Sequence, residues 1–378
     1  MSEPGIIFLL EDGRLAGPHI YVARLFKYLP GKNKVLIPKD SEKAQKIFDS
    51  NSVNYEEIFF LSRLSREPFR IIKYFFFFIP EIFFLTVHFL RSKEKVIYCA
   101  GGSWQIKGAI CGFLSGKVVI WHLNDTYVPK IIKVVFNLFS SLANGYIYAS
   151  EASKKYYAGS VRERKSMVIQ APVDEQKFLV SDRDYDLKNK NIITIGTVCN
   201  VNPLKNLEDF IEIAKVLSTN KNYRFYFKII GPVFDSQIDY KKKLSRLISK
   251  YDLLNLEFSG SSDSIQSELN NLDIFLFTSK SESSPISVWE AMMMGLPIVS
   301  YRVGDVDKYI LDDLNGFTAD VFDKKKLITG INKIIEQNLS SKMGGKSIEI
   351  AHKYFSSKKC AQLHLEFIES LVSGFHET

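Results

Sequence analysis

The strongest constraint on the fold is the alternation of short apolar runs with helix-like stretches in the second half of the chain. The apolar runs are rich in β-branched and aromatic residues, and several end at glycine, proline or a polar turn. The predicted strands are Ile192–Ile195, Phe225–Ile230, Leu256–Phe258, Ile274–Thr278 and Ile298–Tyr301, and the predicted helices are Leu207–Leu217, Ile238–Leu247, Ile265–Leu269, Pro285–Met294 and Leu327–Gln337. Apolar strands that alternate with helices predict a parallel sheet covered on both faces.

The first half of the chain shows the same alternation less regularly. Its predicted strands are Ile6–Leu10, Val35–Ile37, Val96–Cys99, Val118–His122 and Gly145–Ala149, with a glycine-rich turn at Gly13–Pro18 and a helix at Ile20–Leu29. The charged stretch Asp182–Lys190 has no apolar period and is typical of a linker. We therefore expect an α/β protein with one parallel-sheet domain over residues 1–180 and a second over residues 181–355. A C-terminal helix in residues 356–378 is expected to pack back on the first domain. Two such domains form a cleft at the carboxyl ends of their strands, where ligands bind.

The charge is unevenly distributed along the chain. Residues 1–180 carry 25 Lys and Arg against 16 Asp and Glu, a net +9, whereas residues 181–378 carry 25 against 26, a net −1. A basic half indicates an acidic partner (an anionic membrane surface, a phosphorylated acceptor or nucleic acid) or else a solvated basic surface. The four cysteines are scattered without metal-ligand spacing, and no basic segment of a signal peptide is visible. We therefore expect reduced thiols in a cytoplasmic protein.

The segment Ile71–Leu90 is rich in phenylalanine, with four in succession at Phe75–Phe78. Lys73 and Glu81 would each cost about 2.5–3.5 kcal/mol at the centre of a bilayer, so we do not expect the segment to span one. Four consecutive phenylalanines cannot all face one core. The segment is either a core helix or an interfacial one, and the basic residues within 63–95 favour contact with an anionic membrane surface. Peripheral attachment to the inner face of the cell membrane is therefore expected.

The most informative stretch follows the predicted strand Ile274–Thr278. Ser284 is a favourable N-cap and Pro285 fits the first helical position, so a helix is predicted to begin directly after the strand. Gly295 suits the left-handed residue that ends such a helix. The amino end of this helix therefore opens at the carboxyl end of a strand.

Two carboxylates flank this helix start. The free amides of Ile286 and Ser287 are expected to point outward and form an anion site suited to a diphosphate. Glu282 lies just before the helix, and Glu290 lies about one and a half turns inside it. One carboxylate can then lie near a sugar while the other accepts hydrogen bonds from ribose hydroxyls.

The pattern Glu282-x7-Glu290, followed by Ala-Met and by Gly295-Leu-Pro, resembles the signature of retaining glycosyltransferases of GT-B fold, in particular glycosyltransferase family 4. The similarity extends over most of the chain. It includes Gly13–Gly17, His122, Val168–Phe178, Gly196–Asn206, Ile229–Gly231, Leu256–Gly260 and Leu272–Ile274. The resemblance implies the GT-B fold, in which two Rossmann-like parallel-sheet domains face each other across a cleft. The first domain would bind the acceptor and the second the nucleotide-sugar donor.

The resemblance also implies roles for individual residues. Glu282 would contact the donor sugar, Glu290 the ribose, and Lys205 the diphosphate as a point charge. His122 would donate to or orient the transferred sugar, and Asp125 would contact sugar or acceptor hydroxyls. The residues assigned to donor binding are Gly17, Asn200, Lys205, Ser284, Pro285, Ile286, Ser287 and Glu290, and those assigned to catalysis are Glu282, His122 and Asp125. Asn200 stands where the family usually has an arginine, so one diphosphate contact is weaker or comes from elsewhere.

These features predict a retaining, metal-independent glycosyltransferase that moves a sugar from a nucleotide-sugar to a glycan or lipid-linked acceptor, in cell-surface polysaccharide or glycolipid synthesis. No catalytic metal is expected, because the DxD matches at Asp182–Asp184 and Asp305–Asp307 lie outside the predicted site. Neither a cofactor nor a nucleic-acid partner is expected. The absence of GxGxxG after Leu10 argues against a dinucleotide oxidoreductase. Two alternatives stay open: a sugar-nucleotide epimerase of the same fold, and a non-enzymatic membrane-associated binding module.

Overall fold

The computed structural model describes residues 5–39, 41–59, 61–62, 68–161, 164–180 and 183–375. The strands within these residues are β1 Ile6–Leu9, β2 Lys34–Pro38, β3 Tyr55–Ile58, β4 Val96–Ala100, β5 Val118–Leu123, β6 Gly145–Tyr148, β7 Lys165–Val168, β8 Ile193–Val198, β9 Phe225–Ile230, β10 Leu256–Gly260, β11 Ile274–Phe277, β12 Ile298–Tyr301 and β13 Gly316–Ala319. The helices are α1 Gly17–Phe26, α2 Glu42–Ser50, α3 Pro68–Arg91, α4 Ile106–Leu114, α5 Lys130–Phe139, α6 Glu151–Tyr157, α7 Leu207–Ser218, α8 Ile238–Lys250, α9 Ile265–Asn270, α10 Ile286–Met293, α11 Val306–Tyr309, α12 Lys324–Glu336, α13 Ser340–Phe355 and α14 Ser357–Phe375.

The chain divides into two compact units. Unit 1 comprises Met1–Pro172 and Ser357–Thr378, and unit 2 comprises Val173–Ser356. The division at Pro172 falls earlier than the boundary predicted near residue 180. Helix α14, at the C-terminal end, belongs to unit 1, where it contacts α1 and β5.

The charged stretch predicted as a linker is attached to unit 2. Arg183 donates a hydrogen bond to the carbonyl of Leu269 at 3.0 Å, and Lys190 forms an ion pair with Asp273 at 2.6 Å. Leu187 is fully buried. Residues 183–190 are therefore fixed by contacts that their local composition does not reveal.

Each unit is a Rossmann-like domain built on a parallel sheet, as the sequence predicted. The described residues of unit 1 form a seven-stranded sheet in the order β3-β2-β1-β4-β5-β6-β7, and those of unit 2 form a six-stranded sheet in the order β10-β9-β8-β11-β12-β13. The central strands β1, β4, β5, β11 and β12 are buried along their whole length, which explains why their sequences are almost entirely apolar. The edge strands β3 and β7 carry exposed polar residues, and the sequence did not predict them.

The phenylalanine-rich segment is part of α3, a 24-residue helix of unit 1 that packs along α4. By length and composition alone, its part Tyr74–Arg91 could cross a bilayer. Leu85 and Phe89 are buried in the core of unit 1, whereas Phe75 and Phe76 are exposed on the opposite side of the helix. The phenylalanines of α3 therefore lie on different faces, and α3 is a core helix on one side only.

A buried ion pair attaches α3 to α4. The carboxylate of Glu81, in the middle of α3, accepts a hydrogen bond from Nζ of Lys107, whose side chain is fully buried. Lys107 also donates to the carbonyl and hydroxyl oxygens of Ser62, and its Nζ lies 4.1 Å from the ring centroid of Tyr74. These contacts offset the cost of removing both charges from water. The charge that interrupts the apolar segment is thus directed into unit 1.

Lys107→Met should destabilise unit 1 by about 3–5 kcal/mol, because it leaves the Glu81 carboxylate buried without its partner. The double variant Lys107→Met/Glu81→Leu should recover most of this loss, since both charges are then absent. Thermal and urea unfolding measure the changes, with the exposed Lys43→Met on α2 as the control. A Lys107→Met protein as stable as the wild type would show that the pair does not hold α3 in place.

Candidate active site

The strand order of unit 2 reverses between β8 and β11. The chain proceeds outward from β8 to β9 and β10, then returns and proceeds from β11 to β12 and β13 on the other side. Strands β8 and β11 pair directly, with Ile274 opposite Ile195 and Phe275 opposite Gly196. In open parallel sheets, ligands bind outside the carboxyl ends of the strands at such a reversal. The loops after β8 and β11 are therefore the place where this fold favours a ligand.

An ion pair joins these two loops. Nζ of Lys205, in the loop after β8, lies 2.5 Å from Oε1 of Glu282, in the loop after β11. The backbones are joined as well, because the amide of Lys280 donates to the carbonyl of Leu204 at 2.8 Å and the hydroxyl of Thr278 donates to the carbonyl of Lys205 at 3.1 Å. Burial alone lowers the pKa of Lys205, but the Glu282 carboxylate outweighs it and raises this pKa above its ordinary value. Lys205 is therefore a fixed cation beside a carboxylate.

A buried polar cluster supports Lys205 from behind. Asn206 adopts a left-handed conformation (φ 49°) that ends the turn and begins α7. The Asp209 carboxylate, 5% exposed, accepts hydrogen bonds from the Asn206 amide at 2.7 Å and the Tyr301 hydroxyl at 2.7 Å, and it lies 3.3 Å from Nζ of Lys324. The sequence analysis did not identify this cluster. The available signal was the helix-capping interval of three residues between Asn206 and Asp209.

The helix after the Glu282 loop begins one residue later than predicted. Pro285 is the N-cap of α10 and Ile286 its first residue, so the prediction of Ser284 as the N-cap and Pro285 as the first helical residue is wrong. The hydroxyl of Ser284 instead accepts a hydrogen bond from the indole N–H of Trp289 at 2.9 Å. No described side chain caps α10, so the first-turn amides, including that of Ser287, have no side-chain acceptor. The end of the helix was predicted correctly, with Gly295 in the left-handed conformation (φ 69°).

Two further side chains of this region are buried. Glu290 lies within α10 and is 6% exposed. Ser279 directly follows Thr278 and is 1% exposed, and its hydroxyl has no hydrogen-bond partner among the described residues. Buried hydroxyls usually have a partner, so this one points to a group that binds here. The sequence analysis missed Ser279, because a serine after a strand is an ordinary turn residue.

The loop after β12 packs directly under the Glu282 loop. Gly304 has a positive φ of 59°, and a Cβ atom there would lie 2.2 Å from the carbonyl oxygen of Ser283. Only glycine permits this approach without displacing the backbone. The position of the Glu282 carboxylate therefore depends on Gly304, which lies 22 residues later in the sequence.

Asn200 is exposed in the loop after β8. Its amide is uncharged, so it cannot supply the positive charge of the arginine that the family usually has there. The preceding Cys199 is buried, which raises the pKa of its thiol to about 12 and keeps it protonated. Lys205 is therefore the cation that this loop directs toward Glu282.

His122 lies at the end of β5 in unit 1 and is fully buried. Its ring centroid lies 4.4 Å from that of Tyr21 and 5.8 Å from that of Tyr98. Both of its ring nitrogens lack hydrogen-bond partners among the described residues. Burial, together with the neighbouring His364, lowers the pKa of His122 to about 3, so the imidazole is neutral at physiological pH.

Asp125 lies in the loop after β5, three residues after His122, and other residues of unit 1 hold its carboxylate. It accepts hydrogen bonds from the hydroxyl of Tyr157 and from the amide and hydroxyl of Ser103, the latter two at 3.4 Å. Burial raises the pKa of Asp125. These bonds fix the loop after β5 in place. Gly17, also assigned to the site, is exposed as the first residue of α1.

The structure also identifies an acidic residue that the sequence analysis passed over. Glu11 follows β1 and is 3% exposed, and its carboxylate accepts a hydrogen bond from the amide of Gly108 at 3.1 Å. Burial raises the pKa of Glu11 to about 7, although the charge of Lys107 acts in the opposite direction. Glu11 therefore titrates near neutral pH directly before the glycine-rich turn at Gly13–Pro18.

The two DxD matches differ in how far the structure describes them. Asp182 lies outside the described residues, and Asp305 is buried with Lys308 at 3.6 Å. Within the described ranges, no three His, Cys, Asp or Glu side chains group closely enough to hold a metal ion.

Known proteins resemble both the sequence and the fold. Residues 181–350 match the sequence model of the family glycosyl transferases group 1. An uncharacterized glycosyltransferase of Methanocaldococcus jannaschii is 26% identical over 200 residues, which cover 49% of this chain and 55% of that protein. The match thus spans about half the length of that relative. The N,N'-diacetylbacillosaminyl-diphospho-undecaprenol alpha-1,3-N-acetylgalactosaminyltransferase of Campylobacter jejuni is 23% identical over 362 residues, which cover 90% of this chain and 91% of that enzyme.

A solved structure shares the fold over nearly the whole chain. The crystal structure of Anabaena HepE in complex with UDP matches with a TM-score of 0.81 and 20% identity, over 98% of this chain and 100% of HepE. The likeness to HepE shows that the chain has the GT-B fold, and the family match shows that its residues 181–350 resemble glycosyl transferases group 1. Its glycosyl transferases group 1 region coincides with most of unit 2, which contains Lys205, Glu282 and Glu290.

Asp209→Asn should loosen the turn that carries Lys205, because the Asn206 amide and the Tyr301 hydroxyl lose a charged acceptor. We expect a loss of about 1–3 kcal/mol in unfolding free energy and faster hydrogen exchange at residues 203–209. Glu212→Gln is the matched control, since Glu212 also pairs with Lys324 but is partly exposed. Equal exchange in the two variants would show that the cluster does not support Lys205.

Proposed function

We propose that the protein is a retaining, metal-independent glycosyltransferase that moves a sugar from a nucleotide-sugar to a glycan or lipid-linked acceptor at the inner face of the cell membrane. The observation that carries the proposal is the Lys205–Glu282 ion pair at the strand-order reversal, beside the uncapped start of α10. A cation and free helix amides suit a diphosphate, and a carboxylate beside them suits the sugar attached to it.

Binding of the donor would exchange the partners of this ion pair. The diphosphate carries more negative charge than Glu282, and both the Lys205 ammonium and the first-turn amides of α10 are available to it at the same strand end. Lys205 would turn to the diphosphate and leave the Glu282 carboxylate to the donor sugar. Negative charge that develops on the departing diphosphate would then meet donors already in place, which is usually the largest contribution to such catalysis.

Two buried side chains would complete the donor site. Glu290 would accept hydrogen bonds from the ribose hydroxyls, and its low exposure would strengthen those bonds. The Ser279 hydroxyl would find in the ligand the partner that the described residues do not supply. Both contacts would exist before and during the reaction, so they would contribute mainly to donor affinity.

Unit 1 would supply groups to the transferred sugar and the acceptor. The acceptor hydroxyl would attack from the face that the diphosphate leaves, and a phosphate oxygen would take its proton, so the anomeric configuration would be retained. His122 would act as a neutral hydrogen-bond donor, because its pKa of about 3 excludes an imidazolium at physiological pH. Asp125 would position the loop after β5, since Tyr157 and Ser103 already occupy its carboxylate.

The relatives suggest which substrates to test first. The Campylobacter enzyme is named for a diphospho-undecaprenol acceptor, and HepE was solved with UDP. A diphosphate-bearing lipid also fits the net +9 of residues 1–180. We therefore propose a uridine diphosphate sugar as donor and a polyprenyl-diphosphate glycan as acceptor, in the synthesis of a cell-surface polysaccharide or glycolipid. An epimerase would release nucleotide without acceptor, so acceptor-dependent UDP release separates the two activities.

The two glutamates should differ in the step that they affect. Glu290→Gln should weaken UDP binding about tenfold with little change in kcat, because the ribose contact is the same in the ground and transition states. Glu282→Gln should lower kcat with little change in UDP affinity, because its contact is with the sugar. Calorimetry measures binding, and proton NMR of the product measures turnover and anomeric configuration. Wild-type kinetics in both folded variants, or an inverted product, would contradict the proposal, and the exposed Glu336→Gln on α12 is the control.

Lys205→Ala should lower kcat about 100-fold or more, because it removes the cation that faces the departing diphosphate. Lys221→Ala removes the same charge from an exposed loop of unit 2 and should have little effect. EDTA should leave the wild-type activity intact. An equal loss of kcat in the two lysine variants would show that Lys205 acts only through the general positive charge of unit 2. Activity that is abolished by EDTA and restored by Mg²⁺ would refute the metal-free mechanism.

A further inference from the structure

Two helices of unit 1 present an apolar stripe on their outer side as well as on their inner side. The exposed stripe of α3 consists of residues that are all more than half exposed: Ile72, Phe75, Phe76, Ile79, Phe83, Phe84 and Leu90. The residues of the α5 stripe are also more than half exposed: Ile131, Val134 and Leu138, with Tyr127 just before the helix. Their spacing of three or four residues puts the members of each stripe on one side of the helix. Apolar residues in such rows mark a binding surface, whereas singly scattered ones do not.

The two stripes belong to one layer of helices. Helix α4 contacts both α3 and α5 and therefore lies between them. Most of α4 is buried, but Phe113 and Leu114 at its end are exposed. The outer side of α3, α4 and α5, which we call the α3–α5 face, is thus an apolar surface that extends over three neighbouring helices.

The charges on the α3–α5 face are positive. Among the described side chains of α3 and α5, the exposed charged ones are Arg91 and Lys130, and Lys93 and Lys95 are exposed directly after α3. The one acidic residue in the sequences of the two helices, Glu81, is directed inward to Lys107. Glu94, between these two lysines, is partly buried. An apolar surface on which the fully exposed charges of the described side chains are basic suits an anionic surface.

Another helix of the same unit shows what a solvated face of this protein looks like. Helix α2 buries Ala44 and Phe48 on one side. Its exposed side carries charged side chains of both signs, among them Glu42, Lys43 and Asp49. The apolar outer side of α3 and α5 is therefore not a general property of the helices of unit 1.

We propose that the α3–α5 face is a membrane-docking surface that inserts the stripes of both α3 and α5 among the headgroups of an anionic bilayer. The membrane contact expected from the sequence was confined to residues 63–95, of which 63–67 lie outside the described residues. Helix α5 is a second, independent apolar element. A second copy of the chain is a poorer occupant, since two basic faces repel each other, whereas lipid phosphates neutralise them. This docking proposal rests on the proposed function in one respect: the lipid-linked acceptor would lie in the membrane to which the protein binds.

Co-sedimentation with vesicles tests the contribution of α5. The full chain should bind vesicles of phosphatidylcholine with phosphatidylglycerol, bind phosphatidylcholine alone much more weakly, and lose affinity as salt rises. Val134→Glu/Leu138→Glu should lower the affinity about tenfold or more, because two apolar contacts become charged ones. Leu254→Glu makes the same chemical change at an isolated residue of unit 2, which is 92% exposed, and should have no effect.

Further measurements keep the outcome unambiguous. If the double variant does not fold, Lys130→Gln replaces it and should lower the affinity about fivefold, as expected for one basic residue near an anionic surface. An α5 variant that binds anionic vesicles like the wild type overturns the proposal. A wild-type dimer in light scattering that the α5 changes dissociate also overturns it, in favour of a second copy. UDP binding is measured on the same samples, so a failure of the proposed function is recognised separately from a failure of docking.

Discussion

The direct pairing of β8 with β11 is the constraint on which the candidate site depends. Because the strand order reverses there, the chain leaves these two neighbouring strands in opposite directions, and their following loops meet at one edge of the sheet. Gly196, which pairs with Phe275, leaves room for the Leu272 side chain: a Cβ at residue 196 would lie 2.5 Å from a methyl carbon of Leu272. Two loops that are far apart in sequence thereby place Lys205 and Glu282 in contact. The ion pair is a consequence of sheet topology as much as of residue type.

Some buried polar groups of unit 1 are hydrogen-bonded by other residues of the protein, and others are not. Groups of the first kind support the fold, whereas groups of the second kind are candidates for binding a substrate. Asp125 is held by Tyr157 and Ser103, and Lys107 is held by Glu81, so these groups stabilise the fold. His122 is equally buried, but neither ring nitrogen has a partner among the described residues. An unsatisfied buried polar group costs about 1–3 kcal/mol, and a bound substrate could recover that cost.

The sequence predicted what depends on local pattern and missed what depends on tertiary contact. The bounds of β9 and β12 were predicted correctly, because most of their residues are apolar, as expected for strands of a parallel sheet covered on both faces. The edge strand β3 was missed, because its exposed glutamates remove that signal. The N-cap of α10 was assigned wrongly: the Ser284 hydroxyl accepts a hydrogen bond from the buried Trp289, a contact that the local sequence does not show. Lys205 and Glu282 were identified from a family pattern, whereas Asp209 became visible only with its partners from distant parts of the chain.

Residue spacing alone could not determine the two sides of α3, because apolar residues occupy nearly every position of its sequence. The Glu81–Lys107 pair resolves this ambiguity physically: it fixes which side of α3 faces α4, so that Leu85 and Phe89 lie inside while Phe76 and Phe83 face outward. Helix α5 reaches the same arrangement with Ile132 and Phe136 inside and a separate apolar stripe outside. Binding free energies of independent contacts add, so their affinities multiply. One weak apolar element gives only reversible attachment to a membrane, and stable attachment needs a second element or basic charge. The α3–α5 face combines two apolar elements with basic residues, which is the arrangement that membrane attachment requires.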